Sequence, residues 1–422
     1  MRKILLIDDS ETILKALENE ILTVIDNVEI LKATTYKEAS DIIRHNKDKI
    51  SIAVVDLNLP DCVSGKAVLL TASHNISTIV LTSVEDDNLK HLLLKKNILD
   101  YIKKNTYNSI SYAASFVKKI IRNFNTTALV VDDSNLFRST FKKDLETLKI
   151  NVLEANDGVE ALDIIDKSDQ KISLVLTDYN MPNMDGIKLT SKLRKKYEKD
   201  TLAIIALSAT GDRDALAGFI KAGANDFLTK PHKFEELSVR VQSNLDILEL
   251  FQKTKDLANK DFLTGAYNRR YFFDASNAIV DKNVRKNKTV AVATIDIDKF
   301  KNINDTYGHD IGDIAIKEIV RILNKSLRKS DLSARFGGEE FCILLEDVSK
   351  DDVKTIFENI RHNFEINEIL IDKLVLKYTV SIGVAYGKCD DINKLLKVSD
   401  EALYEAKESG RNKVIIHKIK EQ

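Results

Sequence analysis

The chain has 422 residues, 44% of them apolar and 31% charged, with three prolines, which exceeds one ordinary core and argues against long disordered tethers; two to four folded domains are expected. Its 64 lysines and arginines balance 65 acids, so no global basic excess points to nucleic acid or a membrane surface. Cys62, Cys342 and Cys389 lack the close spacing of a zinc or redox site, no apolar run approaches the roughly 20 residues of a membrane span, and "MRKILLIDDS" reaches two aspartates too early for a leader: a cytoplasmic protein is expected.

In chain order, the short run "KILLI" is followed by helical spacing at Ile13, Leu14, Leu17, Ile21 and Leu22, then by the run "IAVVD". "KILLIDDSETILKALENEIL" returns in kind as "ALVVDDSNLFRSTFKKDLETL" from Ala128. The later landmarks keep their order: "IAVVDLNLPD" answers "LVLTDYNMPNMDG", "IVLTS" answers "IIALSA", and "DYIKKN" answers "DFLTKPH". The offset of roughly 120 to 130 residues marks a repeated module, and its alternating β and α segments predict two doubly wound parallel sheets. From about Ser238 to Lys260 the pattern is helical, with Val241, Leu245, Leu248 and Phe251 on one face, which predicts a rigid connector. "DFLTGAYNRRYFF" then opens a different unit, in which "TVAVATIDID", "FCILLE" and "KYTVSIGVAY" alternate with helical stretches; an α+β domain is expected. The predicted boundaries are 1–123, 124–250 and 251–422.

At the carboxyl ends of neighbouring parallel strands, Asp8, Asp9 and Asp56 should converge, as should Asp132, Asp133 and Asp178. Three carboxylates in one crevice call for a cation, and hard oxygen ligands favour magnesium. Asp-Asp-Ser taken alone reads equally well as a helix cap; the ordered landmarks favour the pocket. The two repeats resemble the receiver domains of two-component response regulators. The resemblance makes Asp56 and Asp178 the phosphoacceptors, with Asp8, Asp9, Asp132 and Asp133 supporting magnesium. It also gives Thr82 and Ser208 a bond to a phosphoryl oxygen and Lys104 and Lys230 an ion pair with it. A carboxylate attacking phosphorus, with its charge offset by magnesium and lysine, yields an aspartyl phosphate. The first repeat departs from the pattern at Asn105, where the second keeps Lys230-Pro231, and by an extra residue in "PDCVSG" and "NILDY". A histidine kinase or phosphotransfer protein is the implied partner.

In the third unit, "VATIDIDKFKNINDTYGHDIGD" ends a strand at Asp296 and Asp298, which alternation places on one face. In "SARFGGEEFCILLE" the glycines can turn the chain tightly, Glu339 and Glu340 alternate on the returning strand, and only one is expected to face Asp296. With "DFLTGAYNRR" and "YEAKESGRNKV" also in order, residues 257 to 418 resemble the GGDEF family of diguanylate cyclases, which join two GTP into cyclic di-GMP. The resemblance implies Asp296, the Ile297 carbonyl and Glu339 as magnesium ligands, Glu339 as proton acceptor and Glu340 as a second acid. Alternation is taken to single out Glu339. Gly337 and Gly338 leave room for phosphate, and Lys301 matches a transition-state stabiliser. Lys407 and Arg411, read as four apart on one helix face, match phosphate clamps. Asn304 and Asp313 match guanine contacts: the carboxylate accepts from N1–H and N2–H, and the amide donates to O6. Arg328 and Asp331 of "RKSD" match an inhibitory product site. "DFLTGAYNRR", with Asp261, Asn268 and Arg269, is read as scaffold.

The expected protein is therefore a cytoplasmic response regulator whose phosphorylation promotes a homodimer, bringing two GTP-loaded cyclase domains face to face, with cyclic di-GMP as product and inhibitor. The rival is a catalytically silent adaptor that only binds GTP or cyclic di-GMP. A transcription factor lacks support, because no helix-turn-helix pattern or basic cluster follows residue 250.

Overall fold

The computed structural model of the chain describes residues 2–46, 49–62, 65–83, 93, 98–104, 108–209, 213–328, 330–371 and 374–419. They form two compact units, Met1–Gln252 and Lys253–Gln422. In the first unit, β1 (Arg2–Ile7), α1 (Glu11–Val24), β2 (Val28–Ala33), α2 (Tyr36–Asn46), β3 (Ile50–Val55), α3 (Lys66–Ser73), β4 (Ser77–Thr82), β5 (Ile98–Lys103) and α4 (Ser109–Asn123) follow one another. The alternation then repeats as β6 (Thr127–Val131), α5 (Asn135–Thr147), β7 (Asn151–Ala155), α6 (Gly158–Lys167), β8 (Ile172–Asp178), α7 (Gly186–Arg194), β9 (Ala203–Ala209), α8 (Arg213–Ala222), β10 (Asp226–Lys230) and α9 (Phe234–Asn259). The apolar runs become strands buried on both faces, as parallel sheets require; Ile4 to Ile7 are all buried. Capping residues start the helices: Ser10 accepts from the Ile13 amide, and Asp157 from those of Val159 and Glu160.

Both sheets are parallel and five-stranded, in the orders β2-β1-β3-β4-β5 and β7-β6-β8-β9-β10. Strand order reverses between β1 and β3 and between β6 and β8, so a crevice opens at the carboxyl ends of those strands. One apolar core runs through both copies, joining Phe116 and Ile120 of α4 to Phe141 and Leu145 of α5 and to Val241 and Leu245 of α9. At its edge Arg122 donates to Asp246 (2.6 Å), Gln242 (2.6 Å) and Glu249 (3.3 Å) of α9, and Asn123 donates to the Leu148 carbonyl at 2.9 Å. Arg122 Nε, Asn123 Oδ1 and Gln242 Nε2 are buried there with no hydrogen-bond partner among the described residues. The predicted connector, Ser238 to Lys260, is nearly all of α9, which runs 26 residues without interruption, about 39 Å at 1.5 Å per residue; Val241 and Leu245 in its first half belong to the receiver core rather than to a connector.

The second unit contains β11 (Tyr267–Asn268), α10 (Arg269–Arg285), β12 (Val290–Ile297), α11 (Phe300–Tyr307), α12 (His309–Ser326), β13 (Leu332–Gly337), β14 (Glu340–Glu346), α13 (Lys350–Ile366), β15 (Ile369–Ile371), β16 (Leu374–Leu376), β17 (Val380–Gly387), α14 (Ile392–Glu408) and β18 (Val414–Lys418). Its mixed sheet has the order β11-β13-β14-β12-β17-β18, with β12 antiparallel to both neighbours, and β15 and β16 form a separate hairpin. The period of two along β12 divides the core: Ala291, Ala293 and Ile295 pack with Ile316 and Phe357 on one face, while Val290 and Val292 pack with Phe272 and Leu395 on the other.

Candidate functional site

The two repeats build the same pocket twice. Asp8, Asp9 and Asp56 bring one carboxylate oxygen each within 4.8 Å of one another, and Asp132, Asp133 and Asp178 do the same. In both triads the second residue is exposed while the others are buried or half-buried. Lys104 Nζ lies 2.7 Å from Asp8 and 2.6 Å from Asp56; Lys230 Nζ lies 2.5 Å from Asp132 and 2.6 Å from Asp178. Burial pushes the Asp8 and Asp178 carboxyls above the usual range, against the pull of the lysines. On Lys104, burial alone would act downward, but the bonds from Asp56 and Asp8 prevail and raise it. Carboxylates that burial destabilises and that gather around an opening to solvent fit a hard divalent cation. Thr82 and Ser208 are buried at the ends of β4 and β9, and Ser208 Oγ has no hydrogen-bond partner among the described residues. The Lys230–Pro231 peptide is cis; Asn105, and Val63 and Ser64 of "PDCVSG", lie outside the described residues. Gly186 is required beside Asp178, because a Cβ there would stand 2.0 Å from the Asp178 carbonyl oxygen.

In the second unit, the sheet register corrects the sequence reading of the two glutamates. Asp296 pairs with Glu340 across β12 and β14, and directly opposed residues share a face. Glu339 precedes the strand, in the turn after Gly337 (φ 149°) and Gly338 (φ 52°), so alternation singles out Glu340 and not Glu339. Both glutamates nevertheless act on Asp296. Burial raises its pKa most, the Lys407 bond opposes this, and the charges of Glu339 and then Glu340 push further up. Lys407 Nζ sits 2.8 Å from Asp296 Oδ2. The three acids do not gather as tightly as the receiver triads among the described residues, yet the excess of negative charge beside the last residue of β12, Ile297, fits a cation. Asp298 does not join them: it lies past the strand and accepts from Thr379 (2.6 Å), Ser381 (2.6 Å) and the Asn412 amide (2.9 Å).

Arg335 holds the turn and was not singled out from sequence. Its Nε and Nη2 donate to the Gly338 carbonyl at 2.9 and 2.8 Å, and its Nη1 to Asp261 at 2.8 Å. Asp261 also accepts from the Thr264 amide and hydroxyl. The scaffold role of "DFLTGAYNRR" thus extends to the hairpin itself. Asn268 caps α10 by accepting from the Tyr271 amide. The only sequence signal for Arg335 was its place inside "RFGGEEF".

Lys301 is exposed on α11, and Asp313 is half-buried on α12. Asn304 Oδ1 is buried without a hydrogen-bond partner among the described residues; a Cβ on Gly312 would lie 1.9 Å from it, so the glycine before Asp313 makes the room for this amide. Its oxygen takes the space that a side chain at position 312 would fill, which fixes the amide beside the turn of α12 that carries Asp313. The predicted helical pairing of Lys407 with Arg411 does not form. α14 ends at Glu408, and Arg411 lies beyond it with φ 64°, because Gly410 at φ 115° reverses the chain. Lys407 lines a cavity of about 870 Å³ with Glu340, whereas Arg411 lines another of about 710 Å³ with Lys299 and Asn302. Arg328 is exposed, and its amide donates to Asp331 at 2.9 Å; burial raises the Asp331 pKa.

No helix of the described residues is long and apolar enough to cross a membrane. The family model for response regulator receiver domains matches residues 4–110 and 128–242, and that for the diguanylate cyclase GGDEF domain matches 258–413. Response regulator PleD of Caulobacter vibrioides is 34% identical over 277 residues, 61% of this chain and 61% of the relative. Diguanylate cyclase A of Treponema denticola is 31% identical over 215 residues, 49% of this chain and 57% of the relative. The matched stretch therefore spans less than two thirds of either relative. A crystal structure of a two-component system response regulator/GGDEF domain protein aligns over 59% of this chain and all of its own, with 37% identity and a TM-score of 0.54. Repeated receiver pockets followed by the GGEEF hairpin place the chain in the response regulator family that carries a GGDEF, diguanylate cyclase-type output domain.

Proposed function

We propose that the chain is a response regulator diguanylate cyclase, with receivers at 1–123 and 124–250 and a cyclase domain at 251–422. It converts two GTP into cyclic di-GMP and two diphosphates. Phosphorylation of Asp56 or Asp178 by a histidine kinase or phosphotransfer protein promotes the homodimer in which two loaded domains face each other. In each half-reaction a 3′-hydroxyl oxygen attacks the α-phosphorus of the other nucleotide, diphosphate leaves, and the hydroxyl proton passes to Glu339. Lys301 offsets charge on the phosphoryl oxygens, Asp313 accepts from guanine N1–H and N2–H, and Asn304 completes the base contact. Magnesium, when bound at Asp296, Glu339 and the Ile297 carbonyl, and at Asp9 and Asp133 of the receivers, supplies counter-charge for phosphoryl transfer. Arg328 and Asp331 bind the product and slow the enzyme.

The observation that carries this reading is the twice-built pocket of three aspartates and a bridging lysine, on the same chain as a hairpin where Glu340 pairs with Asp296 and Lys407 neutralises it. Purified chain incubated with GTP and magnesium, with and without a small acyl phosphate, is expected to make cyclic di-GMP faster with the phosphodonor. Asp56→Asn and Asp178→Asn identify the input receiver by which one abolishes the stimulation; stimulation intact when both substitutions are combined overturns receiver control. Competition with ATP, read by product mass, tests Asn304 and Asp313. Glu339→Ala is expected to abolish product formation, and an unchanged rate removes Glu339 as the proton acceptor; a wild type that binds GTP but forms no cyclic di-GMP favours the silent adaptor.

A further inference from the structure

Lys104, Lys230 and Lys407 each neutralise acids at a predicted site, and Lys407 is held differently. Lys104 and Lys230 each bridge two carboxylates with side chains 13% and 9% exposed. Lys407 holds one carboxylate, Asp296, and is 31% exposed. It stands in the last turn of α14 with its flexible stem against a cavity of about 870 Å³, so the ammonium has somewhere to go. Asp296 is 8% exposed and 2.8 Å from the ammonium, with Glu340 directly opposite it on β14, so the site favours a cation beside this carboxylate.

We propose that Lys407 is a mobile counter-charge that makes divalent-cation binding and triphosphate binding at the Asp296 site depend on each other. The inference rests on the cyclase reading for the nature of the ligands. A divalent cation coordinates a carboxylate oxygen at about 2.1 Å, so a cation on Asp296 Oδ2 falls within about 5 Å of an ammonium that stays in place. The two positive charges compete for one carboxylate. A triphosphate removes the competition, because it gives the ammonium a second anionic partner while the metal takes the carboxylate. The nucleotide-free site therefore holds metal weakly, and nucleotide and metal strengthen each other's binding by the same factor. Lys407 acts here as a positioning residue for the metal, in addition to the phosphate contact assigned from sequence.

The test is Mn2+ binding to the nucleotide-free full chain at pH 8, followed by electron paramagnetic resonance of the free ion. Asp296→Asn serves as the blank that leaves the receiver sites in place. Lys407→Gln is expected to tighten Mn2+ binding at the Asp296 site roughly tenfold, the low end for a partly exposed charge-assisted hydrogen bond. It is also expected to shrink the further tightening caused by a GTP analogue with a methylene bridge between its α- and β-phosphorus. Lys407→Arg, which keeps the charge, should stay near wild type, and circular dichroism checks that each variant folds. Mn2+ affinity within twofold of wild type in nucleotide-free Lys407→Gln overturns the proposal. Failure of the cyclase reading is seen separately, as absence of cyclic dinucleotide from the wild type with GTP and magnesium, and the Mn2+ comparison stands without it.

Discussion

Replacing Arg335 by alanine separates the architecture of the hairpin from its chemistry. The side chain is 11% exposed and its partner Asp261 16%, and three charge-assisted bonds are lost at once. Removing one partner of such a pair costs more than the pair's net worth, because the other charge stays in place; for this partly screened site the loss is about 2–4 kcal/mol. Asp261→Asn removes the charge but leaves Arg335 able to hold the Gly338 carbonyl, so it should lose stability with little loss of rate. Arg335→Ala releases that carbonyl, one residue before Glu339, and a misplacement of about 1 Å costs roughly 100-fold in rate. Urea unfolding read together with cyclic di-GMP formation distinguishes the two effects. Burial acts upward on Asp261, but the Arg335 and Thr264 bonds prevail and hold its pKa below the usual 3.8. The stability this adds is present above about pH 4 and lost as pH falls through the folded value; Asp261→Asn should remove that part of the acid slope. Equal rate losses in the two variants, or an Arg335→Ala enzyme with more than half the wild-type rate, would refute the reading that Arg335 positions Glu339 through the Gly338 carbonyl.

Further outcomes follow from other contacts. Gly312→Ala forces the Asn304 amide out of place and should weaken GTP-analogue binding at least tenfold, measured by calorimetry, while unfolding shifts by no more than about 2 kcal/mol, since alanine's helix propensity offsets part of the strain. Arg122→Ala should cost about 2–3 kcal/mol and speed amide hydrogen exchange in α9, where Asp246 and Gln242 lose their donor. The raised carboxyl of Asp178 makes its contribution to stability fall as pH rises from 3.8 through the folded value. Asp178→Asn in EDTA should therefore gain more over wild type at pH 7 than at pH 4, read from urea midpoints; the reverse order would remove desolvation as the dominant effect in that pocket.

The receiver pockets were legible because each is made at the ends of adjacent parallel strands, where the residue after an apolar run points into the crevice whatever the loops do. Asp8, Asp56, Asp132 and Asp178 needed only that rule. The hairpin was less legible: its two-glycine turn decides the phase of the returning strand, so Glu340 and not Glu339 became the cross-strand partner of Asp296. Arg411 was misplaced for a related reason, since a helical spacing of four from Lys407 carries no sign that Gly410 has already ended the helix. Arg335 looks like an ordinary charged residue near a motif, and Asp298, expected on one face with Asp296, is held instead by Thr379, Ser381 and the Asn412 amide. Their roles come from partners 74 and 114 residues away, Asp261 and Asn412, and such pairings follow from the fold rather than from any local pattern.

The core shared by the two receiver copies has a consequence for how this protein can be altered. Duplicated modules joined by a free tether can be exchanged or deleted one at a time, but here Phe116 and Ile120 of one copy are enclosed with Phe141, Val241 and Leu245 of the other. Cutting between the copies would bare apolar surface on both, so the pair is one heritable part. A receiver grafted from elsewhere must bring its α4 surface with it.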